Sequence, residues 1–246
     1  MTTITPTATG SIVRPDPTRK AALIAGVLYL LTFLSSIPAV FLLEPVLSDP
    51  EFILGAGGDS QIVLGTLLDL VNAFACIGTA VALFSVVKRQ NEGLALGFVT
   101  SRIMEAAIIV IGVVSLLAVV TLQQDGVGAS APASAVLVGQ SLVAVRDWTF
   151  LLGPGLMPAF NALLLGTLLY RSRLVPRAIP LLGLIGAPLL ISSTIGNMFG
   201  VNETVSVWST IGTAPFFFWE LSLGLWMTFK GFNRSAATAL IREDLR

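Results

Sequence analysis

The sequence predicts an all-α fold, a polytopic transmembrane helical bundle with six membrane-spanning helices and both termini cytoplasmic. Three observations predict it. The chain is 54% hydrophobic and 11% charged, with a mean hydropathy of +0.88, whereas a soluble domain carries roughly 25% charged residues. Six apolar runs reach the length of about 20 residues that a helix needs to cross a hydrocarbon layer about 30 Å thick. The basic residues gather in alternate connections, a pattern that an even number of crossings produces under the positive-inside rule. Transmembrane strands would instead alternate apolar and polar residues over about ten positions, and these runs do not.

Residues 1–18 are rich in Thr and Pro, with Pro6, Pro15 and Pro17 and no apolar period, and read as a disordered cytoplasmic tail that Arg19 and Lys20 end. The run over 21–43 is longer than the apolar stretch of a signal peptide and lacks a cleavage site, so it is an uncleaved first span. After the turn-rich "EPVLSDPEFILGAGGDS", the second span covers about 62–87. "KRQNEG" separates it from the third, at about 94–122. The fourth and fifth spans, about 148–170 and 178–200, are joined by "RSRLVPR", and "VNET" leads into the sixth at about 208–229. Residues 19–231 thus form one transmembrane domain, followed by a cytoplasmic tail over 232–246. The fourth span has the least defined start. Residues 132–147 are moderately apolar, and either form an interfacial or re-entrant helix before Trp148 or extend the span outward. The first reading leaves Arg146 and Asp147 at the outer surface; the second carries them into the membrane.

Orientation follows from charge. Arg14, Arg19 and Lys20 precede the first span, Lys88 and Arg89 follow the second, Arg171, Arg173 and Arg177 join the fourth and fifth, and Lys230, Arg234, Arg242 and Arg246 follow the sixth. The other connections carry Glu44, Asp49, Glu51, Asp59, Asp125 and Glu203. Both termini are therefore expected in the cytoplasm.

Composition also narrows the chemistry. The formal net charge of +0 gives no field that would draw nucleic acid, and the lipid bilayer is the partner implied throughout. A single cysteine, Cys76, excludes an intrachain disulfide and a Cys-cluster metal site. With no histidine, HExxH zinc sites, bis-His haem ligation and Ser-His or Cys-His catalytic pairs are closed to the chain. No GxSxG, GxxxxGK[ST] or GxGD motif occurs, so neither a cofactor nor a catalytic set is implied. Two small-xxx-small stretches, "GLALG" at Gly93–Gly97 and "GNMFG" at Gly196–Gly200, fit internal packing or oligomerisation, and the oligomeric state stays open.

The informative residues are polar ones inside the spans. An Arg or carboxylate near mid-span costs on the order of 2.5–3.5 kcal/mol, while each Leu, Ile, Val or Phe returns about 0.3–0.6. The third span can offset Arg102 and Glu105, but it would not show them to lipid. At i, i+3 the two share a helix face with Gly112, where a neighbouring helix can come close, so that face is expected to point into the bundle. In the second span Gly65, Asp69, Asn72, Cys76 and Thr79 form a similar polar seam. The sixth offers Glu220 and Gly224, the fifth Ser193 and Asn197, and the fourth Asn161. Asp69, Glu105 and Glu220 against Arg102 make more buried acid than base, so at least one carboxylate must be protonated or face water. Two readings stand: ion pairs that hold helices in register, or a site for a solute or proton. The asparagines fit interhelical hydrogen bonding as well as ligand binding, and Cys76 fits a small packing residue. Gly153, Pro154 and Gly155 mark a kink or an unwound turn whose freed carbonyls could bind an ion.

The stretches "RIMEA", "FLLGPG" and "LLYRSRLVPRAIPLLGLIGA" resemble the bacterial integral-membrane family called domain of unknown function family 4386, over about residues 20–230. The resemblance implies a polytopic protein of the bacterial inner membrane. It brings no activity or substrate, so Arg102, Glu105 and the Arg171–Arg177 loop carry over only as motif positions. From the residues themselves, the leading expectation is a polar cavity between the second, third and sixth spans that binds or moves a small solute or proton. Its candidate residues are Asp69, Asn72, Arg102, Glu105, Asn161 and Glu220. The alternative is a non-catalytic scaffold or regulatory partner of another membrane protein, whose buried charges only pack helices.

Overall fold

A computed structural model describes residues 17–55, 58–203 and 206–243. The elements run α1 (Pro17–Ser48), a 3-10 turn (Phe52–Leu54), α2 (Asp59–Val87), α3 (Glu92–Gln124), the short α4 (Val127–Ser130), α5 (Pro132–Leu152), α6 (Met157–Ser172), α7 (Ala178–Met198), α8 (Val207–Phe229) and α9 (Arg234–Glu243). The fold is an all-α bundle. Residues 1–16 of the expected N-terminal tail lie outside the described residues, and Pro17 and Thr18 already belong to α1. The 232–246 tail folds in its described part as α9, where Ala237 and Leu240 are buried and the Asn233 N–H donates to the Leu174 carbonyl at 2.8 Å.

Local chemistry sets the ends of the rods. The Asn91 side chain accepts from the Leu94 N–H at 2.9 Å and opens α3, and Ser206 accepts from the Ser209 N–H at 3.1 Å and opens α8. Gly58 takes φ 90° just before α2, so Asp59, expected in a loop, is that helix's first residue. At the close of α6, Arg173 adopts φ 57° and Pro176 follows within three residues, which stops the helix.

The fourth expected span needs correction at its start. Helix runs unbroken through Trp148 from Pro132, and the interruption lies at residues 153–156. There Pro154 has no N–H to donate, the Gly153 N–H closes α5 on the Thr149 carbonyl at 2.8 Å, and Pro158 sits in the first turn of α6. Both pieces follow α3. Gly112 faces Arg146 and Thr149, Gly153 faces Ile108, Asn161 reaches Glu105, and Leu164 faces Gly97. As one sequence rises the other falls, so α5 and α6 form a single broken rod antiparallel to α3.

Five stretches are long and apolar enough to cross a membrane: Thr18–Ser48, Asp59–Val87, Glu92–Gln124, Pro132–Ser172 and Ala178–Met198. Helix α8 is of similar length, with Glu220 as its one charged residue.

Neighbour contacts close a ring in the order α1, α2, α3, α5–α6, α7, α8 and back to α1. Two approaches make the closure tight. A Cβ on Gly26 would lie 2.5 Å from the Thr228 backbone nitrogen, and one on Gly183 would lie 2.5 Å from the Trp219 ring, so only glycine lets α1 meet α8 and α7 meet α8 this closely. Arg19 fastens the same seam by donating to the Met227 carbonyl at 2.9 Å and the Thr228 carbonyl at 3.0 Å, which satisfies the open end of α8. The outside of the ring is apolar, with Leu34, Phe41, Phe74, Val114 and Phe218 all exposed. Inside, one apolar cluster around Leu83, Phe98, Leu169 and Trp219 fills the end where α1 begins, and another around Leu43, Ile62 and Leu116 fills the opposite end. The polar residues lie between and beside these plugs.

Candidate functional site

Arg102 is the hub. It lies about three turns into α3, only 1% exposed, and its guanidinium joins three neighbouring helices. Nη2 donates to Glu220 Oε1 of α8 at 2.6 Å, and Nη1 donates to Glu105 Oε2 of its own helix at 3.1 Å. Nη1 also approaches Cys76 Sγ of α2 at 3.4 Å, and the guanidinium carbon stands 4.9 Å from the centre of the Tyr29 ring of α1. The i, i+3 spacing places Arg102 and Glu105 on one face, as expected, and the ring closure brings α8 across to supply the second carboxylate. Asn161 of α6 completes the group, donating from Nδ2 to Glu105 Oε2 at 2.7 Å.

The group forms part of the wall of a central cavity of about 290 Å³. Arg102, Glu105 and Glu220 are the charged side chains that line it; Asn72 and Cys76 line it from α2. Phe33, Phe150, Phe216 and Phe217 supply aromatic surface, and Thr32, Ser36, Ser193 and Thr213 supply hydroxyls. The break between α5 and α6 also borders the space, through Pro154 and Gly155. Here the unwound turn has a structural consequence: the Gly155 carbonyl accepts from Thr194 Oγ1 of α7 at 3.3 Å. Polar side chains continue toward the α7–α8 connection, where Ser193 donates to Ser209 at 3.2 Å and Asn202 donates to Ser209 at 2.9 Å.

The six expected residues do not all meet. Arg102, Glu105, Asn161 and Glu220 share one hydrogen-bonded group, with Asn72 beside it through Cys76, whose thiol faces Asn72 Oδ1 at 3.9 Å. Asp69 stands apart. It accepts from Arg146 Nη2 of α5 at 2.8 Å, both side chains are buried, and Phe150 stacks on the guanidinium at 5.0 Å. Arg146 therefore lies inside the bundle, and its neighbour Asp147 points outward. Sequence reasoning left Arg146 between two positions and missed Tyr29. The signal for Arg146 was Gly112: a glycine on the polar face of α3 leaves room for a long side chain, and that side chain is Arg146.

What the arrangement can do follows from its parts. Two carboxylates share one guanidinium, so the group holds one more carboxylate than cation. Glu220 is hydrogen-bonded through Oε1 alone among the described residues. Among the described residues no group of three or more His, Cys, Asp or Glu side chains is placed to hold a metal ion.

A family model described as Domain of unknown function (DUF4386) matches residues 24–231. No curated protein and no solved structure matches the chain.

Proposed function

Starting from the fact that the chain belongs to the DUF4386 family, whose description assigns no activity, we propose a six-span protein of the bacterial plasma membrane whose central cavity binds or moves a small solute or proton. Five crossings follow from length and apolarity. The sixth, α8, is supported by its partners: Phe33 of α1 meets Phe217, Gly26 meets Thr228, and Ser193 of α7 meets Ser209, so α8 runs the same distance as its neighbours. Its one charge, Glu220, faces Arg102 rather than lipid. A cytoplasmic side for both termini is supported by Arg19, Lys88, Arg171, Arg177 and Lys230, which all fall at the end where α1 begins, opposite Glu44, Asp59, Asp125 and Glu203.

The observation that carries the functional reading is the surplus carboxylate in the cavity wall: Glu105 and Glu220 against Arg102, beside about 290 Å³ of space. Buried ionisable groups are expensive, and a chain that needed only register could use the apolar packing seen elsewhere in the ring. Glu105→Gln and Glu220→Gln keep shape and remove charge. They are expected to abolish a solute- or pH-dependent signal, read as ligand-induced fluorescence change or uptake in vesicles, while folded yield stays at the parental level. Parental behaviour of both variants in every solute assay would overturn the cavity reading.

A scaffold that assembles with another membrane component is the second reading. The Asp69–Arg146 pair favours it, since it joins α2 to α5 and lines no part of the cavity.

A further inference from the structure

The chemistry of the cavity wall selects among ligands, and this inference rests on the cavity reading above. We infer that the cavity takes a small monovalent organic cation with an apolar body, an amine or ammonium, which exchanges with a proton on the Glu220 carboxyl.

Three independent features lead there. The first is charge. Two carboxylates and one guanidinium line the space, so an added anion would find Arg102 already shared between Glu105 and Glu220. An added cation completes the balance. The second is a vacant acceptor. Glu220 is only 9% exposed, its Oε1 is held by Arg102, and no protein group among those described donates to its Oε2. A carboxylate oxygen in that position asks for a donor, and an ammonium N–H or a proton supplies one. The third is the remaining surface. Phe33, Phe150, Phe216 and Phe217 come from α1, α5 and α8; their rings cover an apolar body, and those not already under a guanidinium, as Phe150 is, can meet a cation. Phe33 and Phe217 meet edge to face at 5.2 Å across the α1–α8 seam.

Size sets a limit. A space of about 290 Å³ lies at the low end of the roughly 300–1,000 Å³ of small-molecule pockets, so the ligand is small. The aromatic wall suits an organic body better than a bare metal ion, which would leave those rings without a partner.

Exchange follows from the balance. With the cavity empty, the surplus carboxylate is neutralised by a proton; when the cation binds, that proton leaves to bulk water and one ion pair replaces one O–H bond. The groups facing Glu220 are Arg102 and Glu105 of α3, Tyr29 of α1 and Cys76 of α2, while α7 contributes Ser193 and Thr194, which do not titrate near neutrality. Affinity for the cation therefore rises with pH as the proton becomes scarcer.

The test uses the purified full chain in detergent and three probes with one body and three charges: 2-phenylethylamine, 2-phenylethanol and phenylacetate. Calorimetric titration in two buffers of different ionisation enthalpy reads affinity and proton release together. The amine is expected to bind at least tenfold more tightly than the alcohol or the acid, to release up to one proton, and to bind more tightly at pH 8 than at pH 6. Glu220→Gln is expected to lose at least tenfold in amine affinity and to release no proton. The charge series and the pH series on the parent decide the matter even where that variant fails to fold. Equal binding of amine and alcohol, tighter binding of phenylacetate, or amine binding without proton release would each overturn this inference and leave the cavity reading intact. Failure of all three probes overturns the inference; the cavity reading falls only if the Gln variants also match the parent in every solute assay.

Discussion

Two buried arginines lie in the same bundle and are handled differently. Arg146 has one carboxylate, Asp69, on one neighbouring helix, and a phenylalanine over its guanidinium. Arg102 has two carboxylates, an amide one step further out, a thiol and a tyrosine, drawn from α1, α2, α3, α6 and α8, and a cavity on one side. The first arrangement is balanced and closed. The second has charge left over and space beside it. A pair that only holds two helices together needs neither feature, and the cavity proposal rests on that contrast.

The comparison can be broken from its strongest side first. Arg102→Leu leaves Glu105 and Glu220 facing each other without a cation, and removing one partner of a buried ion pair costs about 3–5 kcal/mol. Thermal unfolding in detergent should show this as the largest loss of any single substitution at these positions. Adding Glu220→Gln should recover much of the stability but not ligand binding.

The corresponding double replacement at the other pair, Asp69→Leu with Arg146→Leu, should behave in the opposite way. Exchanging a buried pair for apolar residues is often neutral or stabilising, so stability is expected within about 1 kcal/mol of the parent, with solute binding unchanged. If binding were lost there, the two regions would be one site and the contrast would fail.

Gly112→Val sharpens the same boundary. A Cβ at Gly112 meets Thr149 Oγ1 at 2.5 Å and the Arg146 side chain at 3.0 Å, so α5 must shift, at a cost of roughly 1–3 kcal/mol. The midpoint of unfolding should fall, while the Arg102 group, nearer the other end of α3, keeps its ligand affinity.

The smallest effect is expected from Phe217→Leu. Loss of one aromatic face should weaken cation binding by about 0.5–1 kcal/mol and leave the stability of this half-exposed position nearly unchanged. Titration of the amine probe against the variant checks it.

Much of the architecture was readable before any coordinates. The rods begin and end within a few residues of the expected positions for α2, α3, α7 and α8, because caps and breakers such as Asn91, Gly58 and Ser206 act through local hydrogen bonds and φ angles. The pairing of Arg102 with Glu105 was also local, a matter of three residues on one helix. The start of the fourth rod, left open between two readings, has the same origin in reverse. Residues 132–147 are only moderately apolar, so composition alone did not separate an interfacial helix from an extended span, and the deciding contacts come from the 3-10 turn and α3.

By itself, then, the sequence determined that the chain is a bundle of apolar helices whose few ionic groups turn inward, since the cost of placing each residue in hydrocarbon is paid locally and adds along a run. Only the tertiary structure decided which acid meets which base. Asp69 lies 77 residues from Arg146 and Glu220 lies 118 from Arg102, and no periodicity within one helix reports the distance to a side chain on another. That choice, made by how six rods close into a ring, is what divides the buried charges into a fastening and a cavity wall.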